Sequence, residues 1–400
     1  MTSPAPPSAE AAGAITTARR YAESIAAGVI ERDRAGALPV RELAEFDATG
    51  LLALTVPVEY GGLGLGPTEL AEMARVIAAV DPAIAQAPQG HYLFVDVLAV
   101  SGSEEQRARM FAEVVAGRRL ANALAERGGV HAQDLRTRLR TAGGGLRLEG
   151  RKYYTTGALT AAWIAVSALD DDDRLVLVFV ERGAGGVTLD RDWDTMGQRA
   201  TVSGSAQFEN VAVDPELVLP YAACFEVPQQ LGARAQLYHA AIQVGIAGGA
   251  LRDAREFVAT RARPFFEPAR AGVVERAVDD PHTIHRFGSM ATQLAAAEAL
   301  LVRAAQTLED VGLRPADAEA AARGSIAVAQ AKAFASEVAV GIASDLFSLT
   351  GASAADERHD LSRHWRNART HASHDPADWK YHHVGNYLLG GVLPPNHGQL

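Results

Sequence analysis

The chain has 400 residues, of which 48% are hydrophobic and 22% charged, a globular balance in a length that calls for two or three domains rather than one simple core. A net charge of −10 argues against a nucleic-acid surface and leaves no polybasic patch for a membrane. The single cysteine, Cys224, excludes an intramolecular disulfide and a cysteine-built metal site, so no metal is expected.

Residues 1–14 are rich in Ala, Pro and Ser and read as a flexible tail. They lack the basic start and apolar stretch of a signal peptide, and no apolar run reaches the ~20 residues that span a bilayer. A soluble cytoplasmic protein is the expectation. Residues 15–119 carry apolar residues at three- and four-residue spacing, clearest in Arg41–Leu52, Pro67–Val80 and Glu104–Ala116, and predict a helical domain. Ser103 and Gln106 have capping-box spacing, and Asp81-Pro82 separates two helices. The run Pro57 to Gly64 is Gly-rich but follows no strand and has no phosphate-loop lysine, so it reads as a tight turn.

Residues 120–220 change texture. Short apolar segments (Leu146–Glu149, Trp163–Ser167, Leu175–Val180, Ser205–Phe208) alternate with Gly and Asp clusters and predict a small β domain. The run Asp170 to Asp173 lies between two of these strands and reads as a solvated turn. Residues 221–400 return to helix. Leu231–Arg261, Pro281–Val311 and Pro315–Leu349 are long and Ala-rich, as in a four-helix bundle. Arg261 and Arg263 end the first of these, where two guanidiniums suit a phosphate or simply complement a helix C-terminus. Thr350, Gly351, Ala352 and Ser353 are small enough to let backbone N–H groups approach a phosphate closely.

The C-terminal segment carries the most chemistry. Trp365-Arg366-Asn367 leads to Arg369-Thr370-His371 and His374-Asp375-Pro376, followed by Trp379, His382 and His383. Four histidines within thirteen residues exceed what helix packing needs, and imidazole is the group that exchanges protons near neutrality. His371 and His374 are three apart and share one face of a helical last turn, and Asp375-Pro376 breaks that helix.

This segment resembles the C-terminal signature of flavin-dependent monooxygenases built on the acyl-CoA dehydrogenase fold, in the subgroup of sulfur-acquisition and dibenzothiophene monooxygenases. The resemblance runs from about Ala14 to His397. It implies an N-terminal helical domain, a middle β domain and a C-terminal four-helix bundle. It also implies a two-component enzyme, in which a separate NAD(P)H:flavin reductase supplies reduced flavin. The flavin reacts with O2 through a C4a-(hydro)peroxyflavin to oxygenate a small organosulfur compound, amine or indole-like aromatic. The resemblance gives Asn122 and Thr156 a place at the flavin ring, with Tyr154 and Trp193 as its aromatic neighbours. It makes His374, His371 and His91 the catalytic pocket histidines; Arg263 and Thr350–Ser353 stand as cofactor-phosphate candidates on their own chemistry. The Gly-Gly-x-Gly run that holds the second half of FAD in the dehydrogenases is missing after Leu349, which favours FMN over FAD. A homotetramer, or at least a dimer, is expected. In the rival reading, an FAD-bound acyl-CoA dehydrogenase, Asp375 stands near the position of the catalytic glutamate.

Overall fold

The computed structural model describes residues 8–130 and 134–398. Its first layer is helical: α1 (Ala9–Ile25), α2 (Val29–Ala35), α3 (Val40–Asp47), α4 (Pro67–Ala78), α5 (Pro82–Gln86), α6 (Gln89–Ser101) and α7 (Glu104–Val115). The expected tail is shorter than the sequence reading made it. Ser8 accepts a hydrogen bond from Ala11 N–H at 3.1 Å and starts α1 at Ala9, and Ala11 and Ala14 are buried. A serine cap before an Ala/Glu run is a helix start, and here it prevails over the Pro-rich beginning. The first seven residues lie outside the described residues. The helix expected to reach Leu52 stops at Asp47, because Gly50 turns at φ 79° and Leu51–Ala53 forms a separate tight turn. Ser103 and Gln106 make the reciprocal capping bonds, at 3.2 and 2.9 Å. The Gly-rich run folds back as a turn, with Gly64 N–H on Val56 O at 2.9 Å.

The middle of the chain forms β1 (Leu120–Ala123), β2 (Arg138–Ala142), β3 (Gly145–Lys152), β4 (Trp163–Leu169), β5 (Leu175–Glu181), β6 (Val187–Asp190), β7 (Ser205–Val213) and β8 (Val218–Leu219). The sheet runs β6-β7-β3-β2-β4-β5-β8. β1 lies parallel on β4, with Leu120 opposite Trp163 and Ala123 opposite Val166, and β2 joins the same edge further on, at Leu169. This pairing draws β1 out of the helical layer and against the sheet. The Asp170–Asp173 turn is solvated and ties to Arg138 and Arg174.

The third part is α8 (Leu231–Thr260), α9 (Phe266–Arg270), α10 (Pro281–Val311), α11 (Ala318–Thr350), α12 (Ser362–Ala372) and α13 (Ala377–Gly390). α8 is the central helix: it packs against α11, α10, α12 and the N-terminal α4 and α6, so one core joins the two helical regions. α11 qualifies the expectation of no membrane-length apolar run. An 18-residue window of it has mean hydropathy 1.4, enough by length and composition to cross a bilayer. That window is 72% buried within the chain, so its apolar surface serves the core.

Candidate active site

The β domain presents a polar edge to the helices. Beyond β3 the chain leaves the sheet at Tyr154, which takes φ 56°, a conformation bulky side chains rarely adopt. The ring stays half-exposed and meets Trp193 edge to face at 6.0 Å, with the Arg127 guanidinium 4.9 Å away over its face. Two residues on, Thr156 O accepts from Asn122 N–H at 3.4 Å, which sets the end of β1 beside this turn. Thr156 Oγ1 begins a hydroxyl chain to Ser203 (3.0 Å) and Thr201 (2.8 Å), which ends on Gln198 O (3.1 Å). Trp193 Nε1 donates to the same carbonyl at 2.8 Å. Gln198 is 3% exposed, and among the described residues neither polar atom of its side chain has a partner. A buried primary amide with both polar atoms unpaired has the donor and acceptor to fit a polar ligand.

α12 closes the other side. Gln198 N–H donates to Asn367 Oδ1, and Asn367 Nδ2 reaches Asp33 at 3.4 Å. Arg366 bonds Met196 O (3.1 Å), Asp33 (2.6 Å) and Asp360 (2.8 Å). The Arg-Asn pair of the signature therefore joins all three parts of the chain. Four residues beyond Asn367, one helical turn, lies His371. It is 4% exposed, and its Nε2 stands 3.0 Å from Gln86 Oε1 and 3.1 Å from His239 Nδ1. Gln86 Oε1 can only accept, so Nε2 carries the proton and Nδ1 is a bare lone pair. That Nδ1 is buried with no partner among the described residues. Burial lowers the pKa of His371 and His239 well below the ordinary value, and the nearby positive groups lower both further, so both rings are neutral.

His374 stands at the rim. Its side chain is half-exposed, and its ring lies 4.4 Å from that of His239. Its Nδ1 is 3.4 Å from Asp375 Oδ1. Asp375 in turn sits between the ammonium groups of Lys332 (3.4 Å) and Lys380 (3.0 Å). Burial opposes its ionisation, but the His374 hydrogen bond and the two lysine charges overcome that and hold the carboxyl well below the usual range. An acid so firmly ionised and paired is a weak base, which removes the group that the dehydrogenase reading needs.

The two sides meet through α5. Gly157, at φ 86°, leaves space for no side chain, since a Cβ there would lie 2.7 Å from Ala87 O. Gln86, the residue before Ala87, holds His371. Thus the turn that carries Thr156 and the bundle's His371 abut the same Gln86-Ala87 step from two sides.

Other expected residues lie elsewhere. His91 is fully buried with both ring nitrogens used: Nε2 on Leu52 O (2.8 Å) and Nδ1 accepting from Leu120 N–H (3.1 Å). Burial lowers its pKa to about 4, so it is a neutral packing residue that pins β1 and not a proton donor. Thr350 spends its hydroxyl on Leu346 O at 2.9 Å, inside α11. Gly351, Ala352 and Ser353 are exposed, and the hollow of about 110 Å³ beside them is lined by Asp356, Glu357 and Asp360, poor company for a phosphate. Arg263 is exposed.

The sequence does not single out His239, Gln86 or Lys332, whereas Gln198 belongs to the 196–199 run that resembles the family's loop beside the flavin. One signal was available: Gln236, His239 and Gln243 recur at helical spacing on the otherwise apolar α8, and all three are buried. A second set, His282, His285, Arg286 and Ser289, lines a hollow of about 360 Å³ between α10 and α11, with Met290 and Asp345.

Models of the acyl-CoA dehydrogenase N-terminal, middle and C-terminal domains match residues 8–118, 121–211 and 237–379. The chain belongs to the acyl-CoA dehydrogenase family. It is 33% identical to dibenzothiophene monooxygenase of Rhodococcus erythropolis, over 95% of this chain and 94% of that one. It is 32% identical to the probable FMNH2-dependent monooxygenase SfnC of Pseudomonas putida, over 95% and 96%. Among solved structures, FMN-bound TdsC from a Paenibacillus species superposes with a TM-score of 0.91 at 30% identity, covering 97% of this chain and all of that one. The same protein has been solved with FMN and indole together. Within the family, then, the chain stands with the flavin-dependent monooxygenases, and the paired state of Asp375 agrees with that branch.

Proposed function

We propose that this chain is the oxygenase of a two-component system: it takes reduced FMN from a separate NAD(P)H:flavin reductase and, with O2, oxygenates a small apolar organic molecule. The observation that carries this reading is that the turn bearing Thr156 and the bundle's His371 abut the same Gln86-Ala87 step, while Asp375 is held in ion pairs with two lysines. Asn122, Thr156 and the unpartnered Gln198 amide fit the polar edge of a flavin, and Tyr154 with Trp193 supplies an aromatic wall. FMN is preferred to FAD because the acidic surroundings of Gly351–Ser353 suit no second phosphate. The His282/His285/Arg286 hollow is a better home for the single phosphate of FMN than Arg263.

Bound reduced FMN supplies the electrons and activates dioxygen. The protein's part is positioning and proton control. Neutral His371 offers its bare Nδ1 to a donor in the site. His374, at the rim, gives or takes the proton and exchanges it with solvent. Buried α8 and α12 exclude water from the inner side, so the activated oxygen is spent on substrate rather than lost as peroxide. An organosulfur substrate ranks first, since the Rhodococcus relative is a dibenzothiophene monooxygenase; an indole-like aromatic ranks second, since TdsC has been solved with indole. A homotetramer is proposed because α13 carries Trp379, Leu388 and Leu389 on its surface, Leu389 at 93% exposure. A cytoplasmic location fits a partner that delivers reduced flavin.

The test is product formed per reduced FMN, measured beside peroxide release across sulfides, sulfones, amines and indoles. His374→Ala should lower oxygenation by ~10² to 10⁴ and release the oxygen as peroxide, with flavin affinity kept. His371→Ala should also uncouple. Wild-type coupling in both variants refutes the site. Titration with FMN and FAD, and light scattering, test the cofactor preference and the assembly.

A further inference from the structure

Three charged groups are buried beside His374 and take no direct part in the proposed chemistry. Lys332 comes from the middle of α11, Asp375 from the α12–α13 turn and Lys380 from the first turn of α13. Their side chains are 3%, 11% and 4% exposed. Lys332 is further oriented by Ser336 Oγ at 3.2 Å. Burying three charges is costly, and an apolar set of equal volume would hold the turn at least as firmly. What an ionic set adds is direction. Asp375 Oδ1 lies 3.4 Å from Lys332 Nζ and also 3.4 Å from His374 Nδ1, so one carboxylate oxygen serves both. Of the other buried ion pairs, Arg234–Asp96 and Arg32–Asp81 touch no histidine, and Arg363–Asp253 meets His364 at 2.8 Å, a ring only 7% exposed where that of His374 is half-exposed.

We infer that Lys332, Asp375 and Lys380 form a clamp that positions His374. The two lysines fix the carboxylate, and the carboxylate takes the Nδ1–H of His374. This selects the ring's tautomer, leaves Nε2 to the site and keeps the ring against His239. Asp375 is thus a positioning residue and not a base. The inference rests on the reading of His374 as the proton-handling group.

The experiment is a double-mutant cycle of Asp375→Asn and His374→Ala, with reduced FMN, O2 and dibenzothiophene as probe, together with a crystal structure of Asp375→Asn. Asparagine keeps the volume and loses the charge. We expect kcat for oxygenation to fall at least 10-fold in Asp375→Asn, with KM and reduced-FMN affinity within about 2-fold. The double variant should be no worse than His374→Ala alone, since both act through one group. In the crystal, the His374 ring should leave its 4.4 Å stack on His239. Multiplying effects, or a ring still stacked in Asp375→Asn, overturns the clamp even where His374→Ala uncouples. If His374→Ala itself keeps wild-type coupling, the reading beneath has failed, and the ring position alone then decides whether the clamp exists. Should Asp375→Asn not fold, Lys332→Arg, which keeps the charge and changes its reach, goes through the same cycle. The clamp predicts partial uncoupling there, and unchanged coupling overturns it.

Discussion

Gly197→Ala tests whether the site depends on the docking of the β domain onto α12. A Cβ at position 197 would lie 2.1 Å from Arg366 O, 2.2 Å from Arg366 C and 2.6 Å from Asn367 N. Ordinary contacts of this kind lie near ~3.5 Å, so a gap of more than ~1 Å must open. All three obstacles are backbone atoms, and no side chain can swing aside. Opening the gap breaks the Gln198 N–H bond to Asn367 and the Arg366 bond to Met196 O. Each is worth about 1 kcal/mol when made, and a buried group left bare costs about 1–3 kcal/mol, so a total of about 2–4 kcal/mol follows. The same shift pulls Gln198 and Trp193 away from Thr201 and Thr156, so reduced-FMN affinity should fall by at least ~10-fold, about 1.4 kcal/mol of binding free energy. Differential scanning fluorimetry and anaerobic titration measure the two effects. A variant with wild-type melting and wild-type flavin affinity would refute the inference that α12 and the 193–199 loop build one wall.

His91→Ala should lower the melting temperature while leaving the coupling of the folded enzyme unchanged, since it strips Leu52 O and Leu120 N–H of their buried partner at about 3–5 kcal/mol. Loss of coupling at full stability would return His91 to the catalytic set. Asp360 is buried in a left-handed turn with Oδ2 unpartnered, and burial, with the Asp33 charge, raises its carboxyl to about 6. The folded state then holds a proton that the unfolded state has released, so this group's contribution is full below the ordinary carboxyl value and is lost as pH rises to about 6. Asp360→Asn, which tolerates the same backbone, should flatten the melting temperature between pH 4 and about 6 and raise it at pH 7.5. A slope equal to wild type counts against it.

The fold was legible because periodicity is local. The apolar spacing of α4, α7, α8 and α10 and the caps at Ser103 and Asp81 are written within a few residues of each element. The short strands β1, β2 and β6 were not legible in the same way, because their identity depends on a partner: β1 is a strand only where Leu120–Ala123 meets Trp163–Val166. The site divides on the same line. His371 and His374 stood out as a dense local cluster, but what each can do was fixed by residues far away in sequence. Gln86 decides the tautomer of His371 across 285 residues, and Lys332 and Lys380 turn Asp375 from a candidate base into a firmly paired anion. His91 shows the converse. Alone at a helix start it passes for a pocket histidine, and only the positions of Leu52 and Leu120 show that both its nitrogens are taken. A histidine's chemistry depends on which nitrogen is left free, and that is set by tertiary partners. One such partner was within reach: Gln236, His239 and Gln243 form a polar stripe on the buried first half of α8. Buried polar groups at helical spacing in an apolar run have to be satisfied by something, and here two of them, Gln236 and Gln243, still hold an unpartnered oxygen near the bundle's histidines. That stripe was as legible as the C-terminal cluster, and it marks the same site from the opposite side.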